Sequence, residues 1–115
     1  GKFVGNDPYE RWVKPSCMLV CEDNYSNAHG TPWLYKEMGI GKLIGAPVPG
    51  TMTAVWWENI GSYTFGIPQV GAKDNRGNYL ENQQLQPDIE CYVTPEDMLK
   101  GNDTQIQTAV KELMK

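Results

Sequence analysis

Few side chains in this 115-residue chain combine a reactive type with a setting that would make them reactive. The most suggestive stretch is Cys21-Glu22-Asp23-Asn24-Tyr25-Ser26-Asn27-Ala28-His29-Gly30. It runs from an apolar segment through a polar turn into a helical pattern. A side chain at such a turn stands at a helix N-terminus, where unpaired N–H groups and the helix dipole favour an anion. That setting suits nucleophilic attack on a carbonyl and stabilisation of the oxyanion it creates. Many strand-to-helix turns are only connections, so the turn alone names no reaction. Asp88 and Glu90 form a second constellation, two carboxylates read either as an acid–base pair or as a turn and strand-edge feature. Cys17 and Cys21 sit four apart in one predicted strand, which puts their Cα atoms about 13 Å apart. A disulfide needs less than about 7 Å, so free, buried thiols are expected, with Cys91 unpartnered. One histidine and no CxxC motif give no zinc site, and no cofactor is expected.

The elements that must position these groups follow from pattern. Residues 17–21 are continuously apolar between Pro15 and Glu22-Asp23-Asn24, as a strand buried on both faces would be. Residues 33–38 predict a short helix with Pro32 in its first turn and Gly39 at its C-terminal end. If the turn serves a nucleophile, that helix should begin at or just after Ala28. Residues 42–46 predict a second strand. Residues 51–58 and 63–70 are β-branched and aromatic and predict an antiparallel pair joined through residues 59–62. Trp56 and Trp57 must then face opposite sides of their strand. A further strand is expected over residues 89–93. Thr94-Pro95-Glu96-Asp97 signals a one-turn helix ended by Gly101. In the last helix, Ile106, Ala109, Val110, Leu113 and Met114 make a stripe expected to pack on a core. Residues 1–15, with Asn6-Asp7-Pro8 and Lys14-Pro15, read as a lead-in, leaving 16–115 as one α/β domain.

Four segments in order carry a family resemblance. They are Tyr25-Ser26-Asn27-Ala28-His29-Gly30; Met38-Gly39-Ile40-Gly41-Lys42-Leu43-Ile44-Gly45; Glu81 to Glu90, with Glu81-Asn82 and Pro87-Asp88-Ile89-Glu90; and Leu99-Lys100-Gly101-Asn102-Asp103-Thr104-Gln105-Ile106. From about Pro15 onward the chain resembles tricorn-type members of the tail-specific (carboxyl-terminal processing) serine peptidases. The resemblance implies the C-terminal half of a crotonase-like fold, with a mixed sheet and flanking helices, and peptide-bond hydrolysis by a serine. It places Ala28 at the nucleophile position, the His29 backbone N–H at an oxyanion donor position, and Glu81 as the carboxylate supporting the triad. Gln84 stands where the family usually has Gly. Ala28 has no hydroxyl, and the family's base histidine belongs to a segment upstream. Three readings of Ala28 stay open: a natural loss, a Ser-to-Ala replacement, or a turn whose nucleophile is Ser26. The Tyr25 and Gly30 anchors favour position 28. His29 is read as solvent-facing, not as the base.

Composition bounds the rest. A net charge of −4, with Lys and Arg scattered, excludes a phosphate-neutralising surface and with it nucleic acid. No apolar run reaches the ~20 residues of a membrane span. Gly1-Lys2-Phe3 reads as a cut boundary, so the compartment stays open. The partners expected are a peptide substrate of the parent protein, the missing N-terminal half, or a second copy covering exposed aromatic surface. Two functions compete: an inactive fragment of a serine peptidase, and a non-catalytic peptide-binding or scaffold domain.

Overall fold

A computed structural model describes residues 13–115. The lead-in expected over residues 1–15 lies mostly outside them. The chain runs β1 (Cys17–Val20), α1 (Asn27–Glu37), β2 (Lys42–Gly45), β3 (Thr53–Ile60), β4 (Tyr63–Gly71), β5 (Ile89–Glu90), α2 (Pro95–Leu99) and α3 (Thr104–Leu113). β1, β2 and β5 form a parallel sheet in that order, with Met18 opposite Leu43 and Ile44 opposite Ile89. β3 and β4 form a separate antiparallel hairpin. The architecture is mixed α/β, but parallel and antiparallel strands do not share one sheet as expected.

The parallel sheet is the centre of packing. Val20, Leu43, Ile44, Val48, Tyr35 and Leu85 are buried around it, and α1 and α3 both pack on β1 and β2. Asp88 fixes the third strand's approach: it accepts the Leu43 N–H at 2.8 Å and pairs with Lys36 of α1 at 3.0 Å. This is the turn and strand-edge role, and the acid–base alternative for Asp88 and Glu90 finds no support. The three cysteines are free and partly buried.

α1 starts at Asn27, six residues earlier than the apolar pattern suggested and one residue before the start at Ala28 that the nucleophile turn called for, and Pro32 lies inside it. Proline has no N–H to give the carbonyl four residues back, which is that of Ala28. The Asn24 side chain supplies the missing donor, Nδ2 to the Ala28 oxygen at 2.6 Å. A side-chain substitution for one lost backbone bond is why the helix extends through its proline.

β3 ends later than expected, at Ile60, which pairs with Tyr63. The connection is therefore the two residues Gly61 and Ser62, not four. Gly61 takes φ of 60°, the conformation that a tight two-residue turn needs and glycine gives at no steric cost. Among the described residues, neither strand of the hairpin packs substantially on another helix or strand. Trp56 and Trp57 point to opposite faces and are 57% and 70% exposed. The α3 stripe corrects the sequence expectation. Only Ala109 is buried, while Ile106, Val110, Leu113 and Met114 remain exposed, because the three-stranded sheet is too narrow to cover them. No helix among the described residues is long and apolar enough to cross a membrane.

Candidate functional site

The turn between β1 and α1 is built by Asn24. Its Oδ1 accepts the Cys21 N–H at 3.0 Å and the Cys21 thiol at 3.2 Å, while its Nδ2 reaches the Ala28 carbonyl. One amide thus fastens the strand end to the first turn of the helix. Sequence reasoning missed it; the pairing of Asn24 with Pro32, one donor for one absent donor, was the available signal.

Ser26 is the helix N-cap, with φ of 53° and ψ of −114°. A residue with a Cβ rarely adopts this region, and holding one there costs of the order of 1–3 kcal/mol. The Ser26 hydroxyl makes no capping hydrogen bond. Its carbonyl instead accepts the N–H groups of His29 at 2.8 Å and Gly30 at 3.1 Å, and the Ala28 N–H bonds to Tyr25. The Asn27 N–H is left without a partner among the described residues. The strained, half-buried hydroxyl and the one free N–H of the first turn are therefore adjacent in sequence.

Ala28 lies within α1 with its methyl exposed. The His29 N–H, expected as an oxyanion donor, is used inside the helix. The His29 side chain corrects the solvent-facing reading: it is 0% exposed, and neither ring nitrogen has a hydrogen-bond partner. Position 29 turns inward because α1 buries the face shared by His29, Gly30, Pro32 and Tyr35. Burial pushes the imidazole pKa below its ordinary value; the Thr51 backbone and the Glu81 charge oppose part of that shift.

Glu81 comes to the same region from 28 residues beyond the start of β3. Its Oε2 accepts the Thr53 hydroxyl at 2.7 Å and the Met52 N–H at 2.6 Å. Those bonds, with the Thr53 hydroxyl first, hold its carboxyl below the usual carboxylate range. Glu81 is thus an ionised group held at the foot of the hairpin, close enough for its charge to act on His29. A cavity of about 150 Å³ opens between Ser26 and Asn27 on one side and Thr53, Ala54 and Val70 on the other. The structure brings the turn, His29 and Glu81 into one region. It shows no hydrogen bond from any of them to the Ser26 hydroxyl.

Known proteins are similar to this chain in sequence and in fold. Across 93% of its length the chain is 28% identical to a protein of Chlamydia pneumoniae, of which it spans 18%. Over 94% of its length it is 25% identical to a candidate tricorn-like protease C-terminal subunit of Sulfurisphaera tokodaii, of which it spans 13%. The crystal structure of the tricorn protease superposes on the whole chain with a TM-score of 0.71 at 24% identity, again over 13% of that chain. The chain therefore spans less than a fifth of these relatives. Residues 2–91 match the profile of peptidase family S41. With that match over most of its length, and a tricorn-like fold around the β1–α1 turn, the chain belongs to peptidase family S41.

Proposed function

We propose that this chain is the nucleophile-bearing part of a tricorn-type serine peptidase with a crotonase-like fold, and that Ser26, not Ala28, is its nucleophile. Residues 16–115 are then the C-terminal part of the catalytic domain. The observation that carries the reading is the Ser26 backbone: a non-glycine residue held at φ 53°, ψ −114° at a helix N-terminus, its hydroxyl committed to no cap. Strain of this kind persists where a side chain must be presented outward.

In this reading Ser26 Oγ attacks the scissile carbonyl carbon as its proton passes to a base. The tetrahedral oxyanion lies against the Asn27 N–H, and collapse breaks the C–N bond and releases the amine. Glu81 is the supporting carboxylate. The chain's one histidine, His29, is enclosed and makes no bond to Ser26, so the base comes from the preceding part of the protein. By itself the chain hydrolyses no peptide, because a serine without a base is a poor nucleophile near neutral pH.

The test joins this chain to the base-bearing part of the peptidase and applies a fluorophosphonate probe, with peptide mass spectrometry to locate the adduct. The adduct is expected on Ser26 and is lost in Ser26→Ala, together with turnover of a fluorogenic peptide. Ser26→Ala that still labels would remove Ser26 as the nucleophile, and Ala28→Ser that gains an adduct at position 28 and raises turnover would return the nucleophile position to residue 28.

A further inference from the structure

Residues 24–28 close a ring around Ser26. Asn24 Nδ2 donates to the Ala28 carbonyl at 2.6 Å, and the Ala28 N–H bonds to the Tyr25 carbonyl at 2.9 Å. Both bonds span the strained residue. Among the described residues, Asn24 is the one side chain hydrogen-bonded to any group of residues 25–28. We propose that Asn24 is a positioning residue for the reaction: standing in for the N–H that Pro32 lacks, it holds Ser26 in the backbone conformation that presents its hydroxyl. That this hydroxyl is the nucleophile rests on the reading above.

Three observations carry the role. The first is orientation. Cys21 offers the amide two donors, its N–H at 3.0 Å and its thiol at 3.2 Å. Both must meet the amide oxygen, so the NH₂ group is left to face the Ala28 carbonyl, which can only accept. The second is a matched loss. In an unbroken helix the N–H of residue 32 would bond that carbonyl, and proline has none to give. The third is strain. A residue with a Cβ at φ 53° and ψ −114° keeps that conformation only while its surroundings hold it there. The Ser26 carbonyl is held from the helix side by the His29 and Gly30 N–H groups. Asn24, bonded to Cys21 at the end of β1, holds the turn from the strand side.

Releasing the Asn24 bond lets the turn move on that side and takes the Ser26 oxygen off its line to the scissile carbonyl. A displacement of about 1 Å at a reacting atom costs about a hundredfold in rate. Asn24 touches no substrate in this role, so the loss belongs in kcat and not in KM.

The test uses the peptidase assembled from both parts. It measures kcat and KM for a fluorogenic peptide and the rate of fluorophosphonate labelling at Ser26, each corrected for the folded fraction. Asn24→Ala is expected to lower kcat and the labelling rate by at least about tenfold, with KM within about twofold. Asn24→Asp keeps the acceptor for Cys21 and loses the donor; it should be slow as well, and it serves where alanine unfolds the turn. Pro32→Ala returns an N–H to the Ala28 carbonyl. In that background Asn24→Ala should slow labelling by less than about threefold, a coupling that a general loss of stability does not produce. Unchanged kcat in both Asn24 variants, a rise in KM that accounts for the whole loss, or an equal loss with and without Pro32 would each overturn the role. The two readings fail differently. A parent enzyme that gives no adduct at Ser26 overturns the nucleophile and this role with it; labelling at Ser26 that is indifferent to Asn24 overturns this role alone.

Discussion

His29 is the residue at which composition alone misleads most. A histidine in a polar turn reads as exposed, yet the ring is enclosed with both nitrogens unpartnered. Unmet buried polar groups each cost about 1–3 kcal/mol, and an apolar group of similar shape avoids that cost. His29→Phe is therefore expected to hold or raise stability at pH 7.5, by about 1 kcal/mol. The pH dependence gives a second reading. Burial lowers the folded-state pKa, so the unfolded chain binds the proton more readily. Stability from the neutral ring is complete above the unfolded value, near 6.5, and is lost as pH falls from there toward the folded value. Urea midpoints measured between pH 7.5 and 5.5 should fall in the parent and stay level in His29→Phe. No other histidine is present to blur the comparison. A parallel fall in both proteins would show that His29 is not the titrating group.

At the scale of elements, the β1–α1 turn depends on one amide. Asn24 replaces the backbone bond that Pro32 removes and also holds the Cys21 N–H. Asn24→Ala leaves the Ala28 carbonyl and the Cys21 N–H without these partners, which should cost about 1–3 kcal/mol. Asn24→Asp keeps an acceptor for Cys21 but loses the donor, so it should fall between the two. Denaturant unfolding measures the cost. Amide exchange at residues 26–30 should quicken in Asn24→Ala before the rest of the chain is affected, and unchanged exchange there would mean the helix start is held by something else. The α2 start was legible as it stands: Thr94 accepts the Asp97 N–H, the capping bond its position announces. Asp103 caps α3 in the same way, accepting the Ile106 N–H. The 51–58 strand was legible in kind but not in extent, because the tight turn at Gly61 lets two more residues pair.

The whole molecule is left with apolar surface that its own core does not use. The hairpin carries Trp56, Ile60, Phe65 and Ile67 on one face, with Val55 and Trp57 on the other, and Glu58 is the one charged side chain between residues 51 and 72. An aromatic two-stranded ribbon with a single charge is marginal in water and invites association. The chain by itself is expected to self-associate, with its mass by light scattering rising across the micromolar range. Trp56→Lys together with Trp57→Lys should return it to a monomer, since a lysine on each face opposes stacking and edge pairing. A parent chain that stays monomeric throughout that range would show that the hairpin is stable while solvated.

The sequence by itself determined the local features: the strand, turn and helix around Ser26, the capped helices α2 and α3, the hairpin, and the order of segments that marks the family. Each of these is governed by groups a few residues apart, where backbone preference and capping decide. Tertiary structure decided which residue of the turn takes the strained backbone, which way His29 faces, and where Glu81 docks. These outcomes depend on segments 20 to 55 residues apart competing for the same volume and the same N–H groups. No local pattern encodes that competition, because its result is set only when α1, the foot of the hairpin and the Glu81 segment close on one another.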